Sequence, residues 1–139
     1  MIPIRIINAE QVRQLLPMHE CVDVMQAAML AASTGTVAVP LRRFSPLIDD
    51  SGMLGLMPGS SAELGYYGAK IISLHPNNPQ RGLPAIQGFV ALFDHASGSP
   101  VAIVEGAEVT GIRTAAASGL ATRLLARTDA HSCGIFGTG

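Results

Sequence analysis

The stretch "AIQGFVALFDHASGSPVAIVEG", residues 85–106, decides how this chain folds. Two apolar runs, 85–94 and 100–106, stand on either side of the small polar segment "HASGS". Apolar runs of this length around a turn rich in Gly and Ser predict the two strands of an antiparallel hairpin. Upstream, "GYYGAKIISLHP" (65–76) predicts another strand, which ends in a loop rich in proline and asparagine. A mainly antiparallel sheet is therefore expected at the centre of the fold.

Outside the sheet, the apolar residues change to helical spacing. "PMHECVDVMQAAMLAA" (17–32) has one apolar face, with Pro17 suited to its first turn and Gly35 to its end. "EVTGIRTAAASGLATRLLAR" (108–127) has another, and the small residues in its middle let a second element approach closely. The order of helix, antiparallel strands and long helix predicts a mixed α/β domain of the α+β kind.

The composition is that of a globular protein and argues against several classes of partner. Of the 139 residues, 48% are hydrophobic and 14% are charged, and the net charge is -1 without a basic block. With aromatic residues at only 4%, neither nucleic acid nor an acidic membrane surface is an expected partner. No run approaches the ~18 apolar residues of a membrane span. Because Cys21 and Cys133 stand alone, without metal-ligand spacing, we expect no metal and a cytoplasmic location.

The last residues, "CGIFGTG" (133–139), predict a strand that enters a glycine turn. In the first turn of a dinucleotide-binding unit, one glycine makes the bend and a second lets the backbone approach the pyrophosphate. Gly137 and Gly139 fit these two positions, although the third glycine, the helix and the acidic residue of that motif are absent. We therefore expect the sequence to stop just after the first strand of a Rossmann domain.

A set of ordered motifs runs through the chain and points to a family. In chain order they are VPLR at 39–42, LMP at 56–58, Lys70, N-x-P at 77–79, G-L-P at 82–84, L-F-D at 92–94, G-x-P at 98–100 and T-x-x-R-T-A-A-x-S at 110–118. In these motifs and in their order, essentially the whole chain resembles the ornithine cyclodeaminase/μ-crystallin family.

The resemblance implies a homodimeric enzyme, dependent on NAD or NADP, with a subunit of roughly twice this length. It implies a substrate-binding and dimerisation domain at 1–107, a connecting helix at 108–130, and the start of a truncated Rossmann domain at 131–139. The family transfers hydride between a nicotinamide and the α-carbon of a small amino or imino acid. Its main acid/base aspartate belongs to the Rossmann half, so residues 1–139 are expected to be inactive alone.

Such a substrate has to be held by its carboxylate, and guanidinium groups bind carboxylates in bidentate fashion. By resemblance, Arg113 is one carboxylate ligand and Arg42, rather than Arg43, is the second. Arg113 is expected near the start of its helix, where the N-terminal amides add positive potential. Lys70 lies in an apolar strand, where burial would lower its pKa and suit it to proton transfer as well as to carboxylate binding. The plain alternatives are a surface arginine at 113 and a lysine whose ammonium reaches solvent.

Other polar residues have weaker assignments. Thr114 is expected to help bind the cofactor phosphates or the substrate, with the glycines at 137 and 139 on the cofactor. His75 is interpreted as a residue that structures its loop rather than as a general base. Asp94 and Glu105 are expected to flank the hairpin turn in contact with solvent.

The residue before "LMP" bears on the substrate. By resemblance, ornithine cyclodeaminases have a glutamate there that pairs with the δ-ammonium of ornithine, whereas this chain has Gly55. A buried ammonium without a partner costs on the order of several kcal/mol. The expected substrate is therefore a cyclic ketimine, Δ1-pyrroline-2-carboxylate or Δ1-piperideine-2-carboxylate. Ornithine cyclodeaminase, alanine dehydrogenase and a non-catalytic binding protein of the μ-crystallin kind are the alternatives, and Glu63 is a second candidate partner for an ammonium.

Overall fold

A computed structural model describes residues 3–137, and within this range the chain forms one seven-stranded sheet, three α-helices and a single turn of 3₁₀ helix. The strands run in the order β1-β7-β6-β5-β4-β2, with β3 paired to β4. The elements are β1 Arg5–Ile7, α1 Ala9–Leu15, α2 Met18–Thr34, β2 Val37–Ala38, β3 Arg43–Pro46, β4 Met53–Ser61, β5 Tyr66–Leu74, the 3₁₀ turn Asn78–Arg81, β6 Ile86–Asp94, β7 Pro100–Glu105 and α3 Gly106–Leu125.

The centre of the sheet is antiparallel, as predicted. Strands β4, β5 and β6 are each nine residues long and pair along their whole length. The hairpin expected from 85–106 is confirmed as β6 and β7, with a register shift between Leu92 and Phe93. At its turn, the Asp94 carboxylate accepts hydrogen bonds from the backbone amide and the hydroxyl of Ser97. Among the strands of residues 3–137, only β1 runs parallel to its neighbour, β7.

Both predicted helices are present, with shifted ends. In α2, Pro17 is the residue before the first turn rather than part of it, and Gly35 ends the helix in a left-handed conformation with φ 75°. Helix α3 begins at Gly106 instead of residue 108 because Glu105 caps it. The two carboxylate oxygens of Glu105 accept hydrogen bonds from the amides of Ala107 and Glu108, at 2.9 and 2.7 Å. The expectation of a solvated Glu105 at the hairpin turn was wrong, since β7 carries it to the opposite end of the strand.

The helices form a layer on one face of the sheet. Helix α3 packs on β6 and α2 packs on α3, with Ala116 and Leu120 of α3 buried between them. At Gly119, among the small residues of α3, an added Cβ would lie 3.4 Å from Cγ2 of Val22 in α2, which is an ordinary contact with a side chain and not a close approach of backbone. At the start of α3 the approach is closer: a Cβ on Gly106 would lie 2.8 Å from the backbone of Gly88 in β6. The first turns of α3 are therefore held directly against the sheet.

The strand expected at 133–136 is absent, and residues 131–137 have no regular secondary structure. A strand exists only through pairing, and no other strand of the described residues pairs with this segment. Gly137 has φ 87°, a left-handed backbone that glycine adopts without strain and that suits the expected turn. Residues 138 and 139, and with them the assignment of Gly139, lie outside the described residues. Among the helices of residues 3–137, none is long and apolar enough to cross a bilayer.

Candidate active site

An open cavity of about 350 Å³ lies between the helix-bearing face of the sheet and the first two turns of α3. Side chains two residues apart point to the same face of a strand, so Lys70, Ile72 and Leu74 of β5 share this face. Pairing places Met57 of β4 opposite Lys70. The residues that line the cavity are Arg42, Phe44, Met57, Lys70, Ile72, Leu74, Ile86, Gln87, Gly88, Gly106, Ala107, Thr110 and Arg113.

Three cationic side chains from different parts of the chain meet at this cavity. Arg42 lies just before β3, and its guanidinium carbon is 5.8 Å from the centre of the Phe44 ring, a cation–π distance. Lys70 comes from the middle of β5, and Arg113 from α3. Arg43, which pairs with Leu56 on the next strand, does not line the cavity. The structure thus brings together the three residues that the sequence assigned to the substrate carboxylate.

The helix N-terminus contributes less to Arg113 than the sequence suggested. Because α3 begins at Gly106, Arg113 lies about 10 Å along the helix axis at 1.5 Å per residue. The potential of the unpaired amides falls off within the first turn of a helix. Arg113 therefore lies near the start of α3, as expected, but beyond the turn in which those amides act, and the charged groups that line the cavity with it are Arg42 and Lys70.

Lys70 is the most constrained of the three. It is half-buried, and its Nζ donates a hydrogen bond to the hydroxyl of Thr110 at 3.2 Å. That hydroxyl donates in turn to the carbonyl oxygen of Gly106 at 2.6 Å. Burial lowers the pKa of Lys70, and the positive charges of Arg113 and Arg42 lower this pKa further. The arrangement favours a neutral amine more than an exposed lysine would, as proton exchange near neutral pH requires.

No carboxylate of residues 3–137 pairs with these cations. The ion pairs in the described part of the chain join Arg13 to Glu108, Arg123 to Asp23, Arg127 to Asp129 and His19 to Glu20. Charges of one sign gathered at a partly buried site repel one another, and an anion bound between them would remove that repulsion. The cavity therefore has the chemistry of a site for a small anion with apolar parts.

The remaining assigned residues lie elsewhere. Thr114 follows Arg113 on α3 but is exposed and does not line the cavity. Gly137 belongs to the irregular segment after α3. His75 does not line the cavity: its backbone amide donates to the carbonyl of Ala85 at 2.8 Å, and its ring lies close to Gly52, so a role in structuring its loop stays a prediction. Among residues 3–137 there is no group of three or more side chains able to hold a metal ion.

Sequence reasoning missed two residues of the site, Thr110 and Phe44. Thr110 precedes Arg113 by three positions, a spacing that places both on one face of a helix. Phe44 follows Arg42 by two positions, which places both on one face of an extended chain. Each spacing could have indicated the additional residue once Arg42 and Arg113 had been assigned to the site.

The comparisons with known proteins identify the family of the chain. Residues 5–139 match the model of the ornithine cyclodeaminase/mu-crystallin family. The Delta(1)-pyrroline-2-carboxylate reductase of Bacillus cereus is 36% identical over 134 residues, which cover 96% of this chain and 41% of the relative. The alanine dehydrogenase of Archaeoglobus fulgidus is 31% identical over 134 residues, 96% of this chain and 40% of the relative.

A solved structure has the same fold. The Thermococcus litoralis Delta(1)-pyrroline-2-carboxylate reductase, in complex with NADH and L-proline, superposes with a TM-score of 0.83 at 32% identity. The match covers 91% of this chain and 39% of that one. The chain thus spans about two fifths of the length of the proteins to which it is similar.

Proposed function

The chain belongs to the ornithine cyclodeaminase/mu-crystallin family, and we propose that the whole protein is an NAD(P)-dependent reductase of cyclic imino acids. The observation that carries this proposal is the cavity of Arg42, Lys70 and Arg113, three cations that have no carboxylate partner in the part of the chain that the structure describes. Δ1-Pyrroline-2-carboxylate and Δ1-piperideine-2-carboxylate present one carboxylate on a small apolar ring. This combination is complementary to a cationic cavity with apolar walls.

Each cavity residue has a distinct part in the proposed reaction. The guanidinium groups of Arg42 and Arg113 bind the substrate carboxylate, and this fixes the position of the neighbouring imine carbon. Lys70, with its lowered pKa, assists in holding the carboxylate and exchanges a proton with the substrate nitrogen. The side chains of Phe44 and Ile72 contact the carbon atoms of the ring.

The hydride comes from the reduced nicotinamide, which such a reductase requires. Of the residues assigned to this cofactor, Gly137 has the left-handed backbone that suits the first glycine of a dinucleotide-binding turn. Solved relatives that contain NADH or NAD support the same choice of cofactor. Thr114, at the exposed surface of α3, remains our candidate for a further contact with cofactor phosphates.

Alanine dehydrogenation is the second candidate function, because a 31% identical relative carries that name. The imine of pyruvate also has one carboxylate and no distal charge, so it is compatible with the same cationic cavity. Ornithine is a poorer fit, because no acidic side chain lines the cavity to pair with its δ-ammonium. Glu63, the other acidic candidate, lies outside the cavity lining.

We further propose that two copies associate through the outer face of the sheet, opposite the cavity. Leu54 and Leu56 of β4, Phe89 of β6 and Ile103 of β7 are large apolar residues exposed on that face. Exposed apolar areas of this kind mark interaction surfaces. A protein that sediments as a monomer, with unchanged behaviour after Phe89→Asp, would contradict this part of the proposal.

The unpaired Cys21 and Cys133 are those of a protein kept in a reducing compartment, and we propose the cytoplasm.

The test uses the full-length protein with NADH or NADPH and Δ1-pyrroline-2-carboxylate, and it follows the loss of the reduced nicotinamide absorbance. A parallel reaction holds NAD and L-ornithine and is assayed for proline, and another holds NAD and L-alanine. Rapid loss in the first reaction is the expected result. Proline formed only in the second reaction would refute the proposed function in favour of cyclodeamination, and turnover only of alanine would favour the second candidate.

A further inference from the structure

One wall of the cavity is built around a glycine. Gly55 lies in β4, and pairing places Phe44 of β3 directly opposite on one side and Ile72 of β5 on the other. Phe44 and Ile72 line the cavity, whereas Gly55 is buried beneath them and does not. The two side chains therefore lean towards each other over the backbone of Gly55.

The space above Gly55 is filled. A Cβ on Gly55 would lie 2.7 Å from Cγ1 of Ile72 and 2.8 Å from Cε1 of Phe44, both closer than real carbon contacts allow. The ring of Phe44 and the side chain of Ile72 together occupy the volume that a side chain at position 55 would need. A larger residue at 55 would therefore require both side chains to move.

This packing gives the cavity a continuous apolar wall on the side away from α3. A polar or charged group pressed against the wall would lose its hydrogen bonds to water and gain no partner, which is unfavourable. The ring of Phe44 also supports the guanidinium of Arg42. Phe44 therefore contributes both to the apolar wall and to the position of Arg42.

We propose that Phe44 determines substrate specificity, by limiting the size of the carbon skeleton and by excluding a polar end group. Gly55 makes this possible because it leaves room for the ring. The inference rests on the proposed imine reduction and deepens it: the substrate class is a small cyclic imino acid whose ring is entirely apolar beyond the imine.

The activity test compares the full-length protein with its Phe44→Ala and Phe44→Leu variants. The five- and six-membered cyclic imines, Δ1-pyrroline-2-carboxylate and Δ1-piperideine-2-carboxylate, are the two substrates. One methylene in an apolar pocket changes kcat/KM about 10- to 200-fold. Phe44→Ala is therefore expected to shift the ratio of kcat/KM towards the six-membered ring at least about tenfold, with Phe44→Leu in between. If Arg42 loses the support of the Phe44 ring, KM rises for both substrates alike and the ratio of their kcat/KM values stays the same. A change in this ratio therefore reports ring size and not the position of Arg42.

Leu47→Ala is the matched control, because Leu47 is similarly exposed (38% against 42% for Phe44) and lies outside the cavity lining. This control should keep the ratio of the unsubstituted protein. An unchanged ratio in both Phe44 variants, in a protein that reduces these imines, would overturn the inference and leave the proposed function intact. Failure of the unsubstituted protein to reduce any cyclic imine would overturn the proposed function and this inference with it.

A stability test addresses the packing without any assay of activity. Gly55→Ala is expected to lower the unfolding midpoint of the full-length protein. The same substitution in the Phe44→Ala background should lower the midpoint less, because the close contact with the ring is then absent and only the one with Ile72 remains. Equal losses in the two backgrounds would overturn the claim that Phe44 occupies the place of a side chain at 55.

Discussion

The same substitution, glycine to alanine, is expected to have opposite effects at two positions of α3. Gly106 begins the helix against β6, and an added Cβ would lie 2.8 Å from the carbonyl carbon and oxygen of Gly88 and 2.9 Å from the amide nitrogen of Phe89. These neighbours are backbone atoms of a central strand, so the helix itself has to move. Gly111, five residues later, is exposed and has no atom within 4 Å of the place where a Cβ would be.

The magnitudes follow from these distances. Carbon atoms pack best at about 3.5–4.0 Å, so Gly106→Ala requires the start of α3 to shift by roughly 1 Å. Overpacking of this kind costs about 1–3 kcal/mol. Gly111→Ala stabilises by about 0.5–1 kcal/mol, because alanine loses less conformational entropy in a helix interior. The two variants should therefore differ by about 1.5–4 kcal/mol in unfolding free energy, with opposite signs relative to the unsubstituted protein.

Urea unfolding of the full-length protein, with hydrogen exchange of the α3 amides as the local probe, measures both effects. The 3.2 Å hydrogen bond between Lys70 and Thr110 would be broken by a shift of that size, so KM should rise in Gly106→Ala but not in Gly111→Ala. Gly106→Ala that is neutral or stabilising would refute the close packing of α3 on β6. Reduced stability with an unchanged KM would refute the link from this contact to the site.

Three further predictions concern the cations. The pKa of Lys70 is lower in the folded protein than in the unfolded chain, so the unfolded chain binds more protons between the two pKa values and stability rises with pH in that range. Urea unfolding from neutral pH to about pH 10.4 measures this rise, which should be smaller in Lys70→Met. An identical rise in the variant would contradict the lowered pKa of Lys70. Arg113→Ala should lower kcat/KM about 10- to 200-fold, since a charged hydrogen bond contributes about 1.5–3 kcal/mol. Arg43→Ala, outside the cavity lining, should leave kcat/KM nearly unchanged. Equal losses of kcat/KM in the two variants would contradict the assignment of Arg113 to the substrate. Thr110→Val should move the pH profile of kcat/KM to lower pH, because the Lys70 ammonium loses its hydrogen-bond acceptor. Thr110→Ser keeps a hydroxyl and should restore the profile. A valine variant with the original profile would show that the hydroxyl does not act through Lys70.

What the sequence predicted well was local. The hairpin, β5 and the end of α2 at Gly35 depend on residues within about ten positions of one another, and the apolar runs and turn residues there determine them. The parallel pairing of β1 with β7 joins Arg5 to Ala102, and no local pattern indicates it. The strand expected at 133–136 had a suitable sequence but no neighbour with which to pair.

The candidate site was predictable in part, for a related reason. Lys70 was conspicuous because an isolated charge in an apolar strand breaks the local pattern, and the family motifs then supplied Arg42 and Arg113. The contacts of Thr110 with Lys70 and of Phe44 with the space above Gly55 depend on which residues face each other across the sheet and the helix. Register and helix placement determine those contacts, and a single sequence gives neither.

The cavity also explains why an unfavourable residue is retained in β5. Ile72 and Leu74 share the strand face of Lys70, and a leucine at 70 would pack on that face without burial of a charge. Lys70 instead faces two arginines and, among residues 3–137, no carboxylate, so the site lowers the stability of the protein without its ligand. Natural proteins break local rules of this kind mainly at functional sites. An anion that binds all three cations would offset the repulsion among them, so under the proposed function the stability lost at Lys70 is recovered as affinity for the substrate carboxylate.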